Sequence, residues 1–466
     1  MQRITWTKIL PPHFRGRNLE KLDEHFRNTV EPLYIRALLP WPASAIHGES
    51  FNNVAFMLNK YVHRLRALHV RAVTPDLVGP FLQHALFSKN LTRHAVTSLE
   101  ELDIAVKLDP YDKQRLQVPV ASVLQDAAET LPSLKSLTLP GLSYMDCIPT
   151  PNSSSVFSNL SQLRVNGTGL SNGSPLYELF RFLHHTPNLQ SLFYKTPDQF
   201  SYQIGPTPPS GSWAPTKKDK PVSLPVFLPH LRAADVSASG SGTDLLRNLA
   251  APNLERIHMD GSRLQDCLED WHMGLISDVG NVIDELSPRS PDIRSITLTE
   301  MPLEESVFKW LLGGVARDEQ AANSVLPFQK LEELVVRDMV LSKDQTALLL
   351  EEDQSGGEPR VELTDSALAL YASKADGVSL RKLAIHRAER LSSDVILAAG
   401  RRGVKASAGS VFVMEFMQNH GPSTECVNEL EKIGVKVEWT EEVAGSDEDR
   451  TGWWTSDFKV DDCHHG

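Results

Sequence analysis

Three short motifs in the sequence combine residue types that could bind a ligand or a metal ion. His184-His185 offers two imidazoles, but adjacent residues on a helix point about 100° apart, so we expect the pair to cap a helix C-terminus. Cys463-His464-His465 could hold a soft metal ion only adventitiously. Gly240-Ser241-Gly242 is half of a dinucleotide fingerprint without its third glycine, and we expect it to form a turn. The sequence therefore predicts no catalytic residue, no cofactor and no metal site.

The composition argues against several classes of partner. The chain has 466 residues and a formal net charge of −12, whereas a nucleic-acid-binding surface needs a basic stripe. No apolar stretch reaches the roughly 20 residues of a membrane helix, so no membrane partner is expected. The four cysteines show no paired spacing, which is typical of a reducing compartment such as the cytoplasm or the nucleus.

A short phrase that recurs about ten times predicts the fold. Two leucine-like residues stand three apart and a third apolar residue follows two further on, as in Leu134/Leu137/Leu139 and Leu254/Ile257/Met259. The last two apolar residues alternate with polar ones, which indicates a short strand. The first leucine-like residue of the copies lies at positions 65, 99, 134, 160, 189, 231, 254, 293, 331 and 380. The repeats predict an α/β fold, an irregular leucine-rich-repeat solenoid (horseshoe) of alternating short parallel strands and helices.

The chain divides into three predicted segments with two inserted loops. The segments are a capping segment over 1–60, a degenerate solenoid over 61–440 and an acidic, disordered tail over 441–466, and the loops are 196–227 and 351–362. Apolar residues at helical spacing after Ser174-Pro175 predict one of the connecting helices. Trp453-Trp454 in the tail has two interpretations: the tail folds back onto the end of the solenoid, or the two indoles form a short binding motif.

The residues that could carry function are the outward side chains of the strands. The middle residue of each strand triplet points away from the predicted core and lies on the concave face of a leucine-rich horseshoe. These candidate protein-binding residues are His69, Asp103, Thr138, Arg164, Phe193, Asp235, His258 and Thr297. They mix acidic, basic and aromatic side chains, as protein-binding surfaces do. At any single position the alternative is a solvated sheet face.

At these repeats the chain resembles the leucine-rich-repeat proteins, most of all the fungal F-box/leucine-rich-repeat type, over roughly residues 60–440. The phrases at Leu131–Leu139 and Thr186–Leu192 carry the likeness. The opening, with Trp6 and then Glu31-Pro32-Leu33-Tyr34-Ile35, is similar to the segment that tends to follow the F-box in that family. Members of the family are substrate receptors of cullin-based, SCF-type ubiquitin ligases. Their F-box docks on the adaptor and their repeats hold the target.

Two departures from the family pattern bear on function. No Leu-Pro-x-Glu phrase of an F-box precedes Trp6, so we expect a receptor that has lost this module, or one whose natural start is not Met1. The asparagine that family members carry after the strand is replaced, at Leu142, Thr168, Met301 and Met339. The resemblance implies a non-enzymatic protein-interaction module whose partners are a protein target and, if docking persists, the ligase adaptor. The alternatives are a scaffold unrelated to ubiquitination and, more remotely, an enzyme with an unrecognised site.

Overall fold

A computed structural model places most of the repeat region. The residues that it describes are 7–9, 17–39, 45–72, 77–87, 98–106, 123–124, 131–140, 157–166, 175–195, 223–237, 240–261, 280–299, 305–313, 328–337, 363–373, 378–386, 388, 391–407, 409–418 and 420–440. Over these residues the chain is an α/β protein built on one parallel sheet of 14 strands.

The order of the strands in the sheet follows their order along the chain. The sheet contains β1 (Thr7–Ile9), β2 (Leu33–Leu39), β3 (Leu65–Ala72), β4 (Glu101–Val106), β5 (Ser136–Pro140), β6 (Gln162–Asn166), β7 (Ser191–Lys195), β9 (Ala233–Ser237), β11 (Arg256–Asp260), β12 (Ser295–Thr299), β13 (Glu333–Arg337), β14 (Lys382–Ile385), β15 (Val413–Met417) and β16 (Lys436–Thr440). Two further strands, β8 (Val226–Phe227) and β10 (Leu249–Ala250), form a separate parallel pair. Within the described residues the large sheet is open, with β1 and β16 at its two edges.

Helices occupy several of the connections, because parallel neighbours can be joined only by a crossover. Their bounds are Arg17–Asn28, Ala45–Lys60, Val78–Ala85, Pro175–Leu183, Gly240–Arg247, Glu305–Gly313, Asp365–Ser373, Ser393–Ala406 and Thr424–Lys432, with a helical stretch also at 280–286 and a 3₁₀ turn at Val62–Arg64. Among the described helices, none combines the length and the apolar character that crossing a membrane would require.

The leucine phrases form the core through alternation along each strand. In β5, Leu137 and Leu139 are fully buried, whereas Ser136 and Thr138 are half-exposed. A fully buried leucine side chain contributes about 1.5–3 kcal/mol. The same alternation recurs in neighbouring strands, so the inward residues join into one continuous hydrophobic cluster with apolar residues of the helices. This shared core keeps the outward residues of every strand on the opposite face of the sheet.

All ten predicted strands, from the copy that begins at 65 to the copy that begins at 380, are present in the sheet. One further strand, β2 of the predicted capping segment, pairs directly with β3. After the last copy, β15 and β16 pair with each other at the C-terminal edge of the sheet.

Two predictions at the insertions need correction or lie outside the described residues. Gly240-Ser241-Gly242 was expected to form a turn and instead begins the helix Gly240–Arg247. A Cβ at Gly242 would lie 1.9 Å from the Ser237 carbonyl oxygen, so close backbone approach explains this glycine.

The predicted C-terminal boundary of the loop 196–227 is wrong, because Val226–Phe227 belongs to the strand β8. Its part over 196–222, the loop 351–362 and the tail 441–466 with Trp453-Trp454 lie outside the described residues.

A row of backbone hydrogen bonds joins successive repeats just before their strands. The backbone N–H groups of Lys135 and Ser136 both donate to the Glu100 carbonyl oxygen, at 2.8 and 3.0 Å. Those of Arg294 and Ser295 donate to the Glu255 carbonyl oxygen, also at 2.8 and 3.0 Å. Each repeat thereby satisfies the backbone groups of the turn before it.

Asparagines add a second connection at these turns. The side-chain amide of Asn159 donates to the Pro132 carbonyl oxygen at 2.7 Å, and that of Asn253 donates to the Pro229 carbonyl oxygen at 2.6 Å. Asn188 does the same toward Ser158. In each case the asparagine precedes the first leucine of its repeat and the acceptor lies in the previous repeat. These amides supply turn partners at a position other than the one where the family pattern places its asparagine.

Candidate protein-binding groove

The register of the sheet brings the predicted site residues into one row. Each of them is the direct partner of the next across neighbouring strands. The pairs are His69–Asp103, Asp103–Thr138, Thr138–Arg164, Arg164–Phe193, Phe193–Asp235, Asp235–His258 and His258–Thr297. The row therefore crosses eight consecutive strands of the large sheet, from β3 to β12.

This row forms the floor of a surface groove of about 680 Å³. Seven of the eight predicted residues line it, and His69 lies beyond its end. Further lining residues come from the outward positions on either side of the row: Glu101, Ser136, Gln162, Ser191, Arg256, Ser295 and Arg337. The eight predicted residues are the middle outward positions of their strands; Arg256 belongs to the neighbouring outward positions that the sequence also indicates, whereas Arg337 was missed. The period of two along a strand was the signal for both, since residues two apart share a face.

Phe193 lies half-buried near the middle of the row with two cations against its ring. The Arg164 guanidinium carbon is 4.3 Å from the ring centroid, and the Lys195 ammonium nitrogen is 5.0 Å from it. Both distances are within the range of cation–π attraction. Lys195 also forms an ion pair with Asp260 at 3.0 Å, whereas Arg164 remains exposed at the surface of the groove.

At the N-terminal end of the groove, acidic and basic side chains are paired. His69 Nε2 lies 2.7 Å from a Glu101 carboxylate oxygen, and its Nδ1 lies 3.8 Å from Asp103. The buried Arg71 donates to the same Asp103 carboxylate at 2.6 Å. These contacts cross from β3 to β4 and hold the carboxylates in place.

One cluster in the groove contains the groups of an acyl-transfer triad. His258 Nδ1 lies 3.2 Å from Asp235 Oδ1, and His258 Nε2 lies 3.0 Å from the hydroxyl oxygen of Thr299. Despite this short distance, Asp235 Oδ1 accepts no hydrogen bond of suitable geometry from the described residues. The backbone of Thr299 lies in β12, which pairs on both sides with β11 and β13. Backbone amides engaged in a sheet cannot form an oxyanion hole.

The sequence also contains a hydrolase pattern that the prediction of no catalytic residue overlooked. Gly169-Leu170-Ser171-Asn172-Gly173 is a Gly-x-Ser-x-Gly run between β6 and the helix Pro175–Leu183. A nucleophile elbow has the same order of strand, motif and helix. The five residues of the run lie outside the described part of the chain, so no distance relates Ser171 to His258.

The C-terminal part of the same register row is buried. Glu415 accepts from the Lys382 ammonium group at 2.5 Å and from the Thr440 hydroxyl at 2.9 Å, and His386 Nε2 lies 3.6 Å from it. Burial alone would raise the pKa of Glu415, but the hydrogen bonds from Lys382 and Thr440 outweigh it and bring the pKa below 4.5. Burial lowers the pKa of His386 below 6.5, and the nearby positive charge of Arg337 lowers it further. Lys382 and Glu415 therefore form an ion pair beside the groove, and His386 packs against it without a hydrogen bond from its Nε2 to a described residue.

The candidate metal-binding motifs do not form a site in the part of the chain that the structure describes. No group of three or more His, Cys, Asp or Glu side chains there is arranged to hold a metal ion. His184 and His185 directly follow the helix Pro175–Leu183, at the predicted C-terminal position, and His184 Nε2 lies 2.9 Å from the Ser223 carbonyl oxygen. Cys463-His464-His465 lies outside the described residues.

No known protein-family model matches this sequence, and no characterised protein matches it.

Proposed function

We propose that the chain is a non-enzymatic protein-interaction module of the leucine-rich-repeat type, and that its groove holds a protein target. The observation that carries the proposal is the row of outward side chains that crosses eight neighbouring strands and, from Asp103 to Thr297, lines one open groove. Repeat proteins bind through such extended surfaces, because every repeat contributes one strand to the same face. The groove mixes charged, small polar and aromatic side chains, as protein interfaces do.

The repeat architecture supports the leucine-rich-repeat type. Strand order follows chain order, each repeat contributes its leucines to one core, and the turns are joined repeat by repeat through backbone hydrogen bonds. A stack in which each repeat contacts mainly its neighbours is what a solenoid requires. The asparagines at Asn159, Asn188 and Asn253 replace the family's asparagines in satisfying turn carbonyls.

Within this class, the resemblance to fungal F-box/leucine-rich-repeat proteins favours a substrate-recognition receptor of an SCF-type ubiquitin ligase, or a derivative that lacks the F-box. Such a receptor would act in the cytoplasm or the nucleus and would need no cofactor. A scaffold or adaptor unrelated to ubiquitination would use the same groove, and it differs only in the other proteins of its complex.

Affinity purification of the tagged full-length chain from its own cells, followed by mass spectrometry, tests this proposal. We expect the ligase adaptor and a cullin to co-purify together with a target. A Phe193→Ala variant should lose the target and retain the ligase proteins, because Phe193 lies in the groove. Targets without adaptor and cullin would overturn the ligase role and leave a scaffold. If no protein depends on Phe193, the groove is not the binding surface.

The contacts among Asp235, His258 and Thr299 favour one second candidate, a hydrolase with a hydroxyl nucleophile. A fluorophosphonate probe, which labels activated hydroxyl nucleophiles, distinguishes it from the binding module. We expect no labelling, because His258 is not aligned with Asp235 and the amides around Thr299 lie in the sheet. Labelling that disappears in His258→Ala and in either Thr299→Val or Ser171→Ala would overturn the non-enzymatic proposal.

A further inference from the structure

We propose that the groove binds an extended acidic segment of the partner protein, whose carboxylates contact Arg164, Arg256 and Arg337. These three residues are called the groove arginines below. The inference rests on the proposed protein-binding function and specifies the chemistry of the segment that is bound. It follows from how charges are matched along the groove, from the environment of Arg164 and from the spacing of the three side chains.

The groove arginines differ from the acidic residues beside them, because no residue of opposite charge pairs with them in the part of the chain that the structure describes. All three line the groove and are exposed, and none forms an ion pair with any residue of the described ranges. The acids of the groove each lie against a base: Glu101 against His69, Asp103 against Arg71 and Asp235 against His258. The groove therefore presents unused donors, while its acceptors already face basic groups.

An anionic ligand is the natural complement of these donors. A guanidinium group offers five N–H donors in a planar fork that matches a carboxylate with two parallel hydrogen bonds. The chain as a whole carries a formal net charge of −12, so the three arginines in the groove are not explained by a general excess of basic residues. Complementary charge at such a site contributes to partner selection and to the association rate.

Arg164 is also held in a fixed orientation before any ligand arrives. Its guanidinium carbon lies 4.3 Å from the Phe193 ring centroid, on the neighbouring strand. A guanidinium stacked on an aromatic ring keeps its N–H edges free for a carboxylate. Because the side chain is already ordered, less rotamer entropy is lost on binding. Phe193 therefore acts as a platform that positions Arg164.

The spacing of the groove arginines suits an extended peptide that crosses the strands. Arg164 and Arg256 lie three strands apart in the sheet and two positions apart along the strand direction, which is about 16 Å at the usual strand separation and rise. Arg337 lies five strands from Arg164 and two positions along the strand direction on the opposite side of the row from Arg256, which is about 25 Å from Arg164. An extended segment of about nine residues has the length to cross the groove between Arg164 and Arg337, with Arg256 at its side. The residues between them include Ser191, Ser295 and Thr297, which are small enough to leave room for a backbone.

Fluorescence polarisation with the full-length chain tests this inference. The probe is a fluorescein-labelled peptide in which five glutamates alternate with four serines, so that all glutamates share one face when the peptide is extended. We expect it to bind and to lose about tenfold or more in affinity with either Arg256→Glu or Arg337→Glu. Binding should also weaken as the salt concentration rises, because exposed charges are screened.

The matched control is Arg401→Glu, which makes the same change in charge on the helix Ser393–Ala406, outside the residues that line the groove. It should leave the peptide affinity unchanged. An equal loss with Arg401→Glu and Arg256→Glu would show that only the overall charge matters and would overturn the inference. Equal binding of a peptide with glutamine in place of glutamate would do so too, as would tighter binding of a thymidine oligonucleotide. Circular dichroism before each titration establishes that the variants are folded.

A second arm identifies the source of the negative charge. A peptide with phosphoserine in place of glutamate carries more charge and more acceptor oxygens on the same spacing. Tighter binding of this peptide supports a phosphorylated acidic segment, and weaker binding supports aspartate and glutamate.

Affinity purification with Arg256→Glu separates this inference from the proposed function. If the ligase proteins and the target both persist, the acidic-segment inference fails alone; if the wild-type chain recovers no partner, the proposed function fails.

Discussion

Two sets of charged side chains on the sheet, a row at the turns and the groove arginines, differ in how their charges are matched. The first, called the turn row, consists of the residues that directly follow the first leucine of each repeat. In it Glu100 lies 2.7 Å from both Arg66 and Lys135, and Glu332 lies 3.1 Å from Arg294 and 3.5 Å from Arg381. In the groove, by contrast, the groove arginines have no acidic partner among the described residues.

The difference indicates which charges serve the fold and which are available to a ligand. A turn-row acid between two bases joins three successive repeats, so its contacts are complete within the chain. In the proposed complex, a groove arginine gains its acidic partner from the bound segment. Glu415 is a third case, because it shares the register row of Arg164 but is buried and held by Lys382 and Thr440. Burial, rather than position in the strand, separates it from the groove.

The largest expected effect comes from breaking the buried, matched charge. Glu415→Ala leaves Lys382 without its closest acid, with only 28% of that lysine side chain exposed, and removes the acceptor of the Thr440 hydroxyl. We expect the free energy of unfolding to fall by about 2–3 kcal/mol, below the 3–5 kcal/mol of a fully buried pair. Urea denaturation followed by circular dichroism measures it. Glu438→Gln, on the more exposed strand β16, is the control, and an equal loss there would contradict the special role of burial.

A fall in pH should weaken the same network without any substitution. The pKa of His386 is below 6.5 in the folded chain, so below about pH 6.5 the unfolded chain binds a proton that the folded chain does not. The pKa of Glu415 is below 4.5, so its stabilisation is present above about pH 4.5 and is lost as the pH falls further. Both effects lower stability toward acid. The unfolding temperature measured from about pH 8 to about pH 3 should therefore decrease in two steps, the second of them below about pH 4.5.

Two variants separate these steps. His386→Gln should remove the step near pH 6.5 and leave the more acidic step. Glu415→Gln should remove the more acidic step. If the upper step persists in His386→Gln, the titrating group is another histidine and the assignment is wrong.

Breaking a matched charge in the turn row should have a smaller effect. Glu332→Gln removes a half-buried acid from between the exposed side chains of Arg294 and Arg381, and ion pairs at the surface contribute at most about 1 kcal/mol. We expect a loss of about 0.5 kcal/mol that disappears at high salt, because the charges are screened. Urea midpoints at low and high sodium chloride measure it. A loss that does not depend on salt would show that packing, and not charge, is responsible.

The smallest effect on stability is expected in the groove itself. Arg256→Gln removes a side chain that contacts no acid of the described residues, so the free energy of unfolding should change by less than about 0.5 kcal/mol. The same variant should weaken binding of the glutamate peptide. This combination of unchanged stability and lost affinity would confirm the contrast between the turn row and the groove arginines. A stability loss as large as that of Glu332→Gln would remove it.

The strands could be located from the sequence because their signal is local. The spacing in Leu134/Leu137/Leu139 and its copies fixes which residues enter the core, and the period of two then fixes which residues face outward. The predicted row from His69 to Thr297 follows from this alternation alone. Gly242 was misjudged because a helix start and a turn use the same residue types, and only the nearby Ser237 carbonyl oxygen reveals the close approach.

The matching of charges could not be read from the sequence. Glu332 meets Arg294 and Arg381, which are 38 and 49 positions away, and Glu415 meets Lys382 and Thr440 on neighbouring strands. These contacts exist only because the parallel register places corresponding positions of successive repeats side by side, and the irregular repeat length hides that register. The sequence by itself determined the core, the strands and the outward row, because alternating hydrophobicity acts within a few residues. Only the tertiary structure decided which charges are buried, which are matched and which have no partner of opposite charge among the described residues, because burial and pairing depend on the neighbours that the stacked repeats bring together.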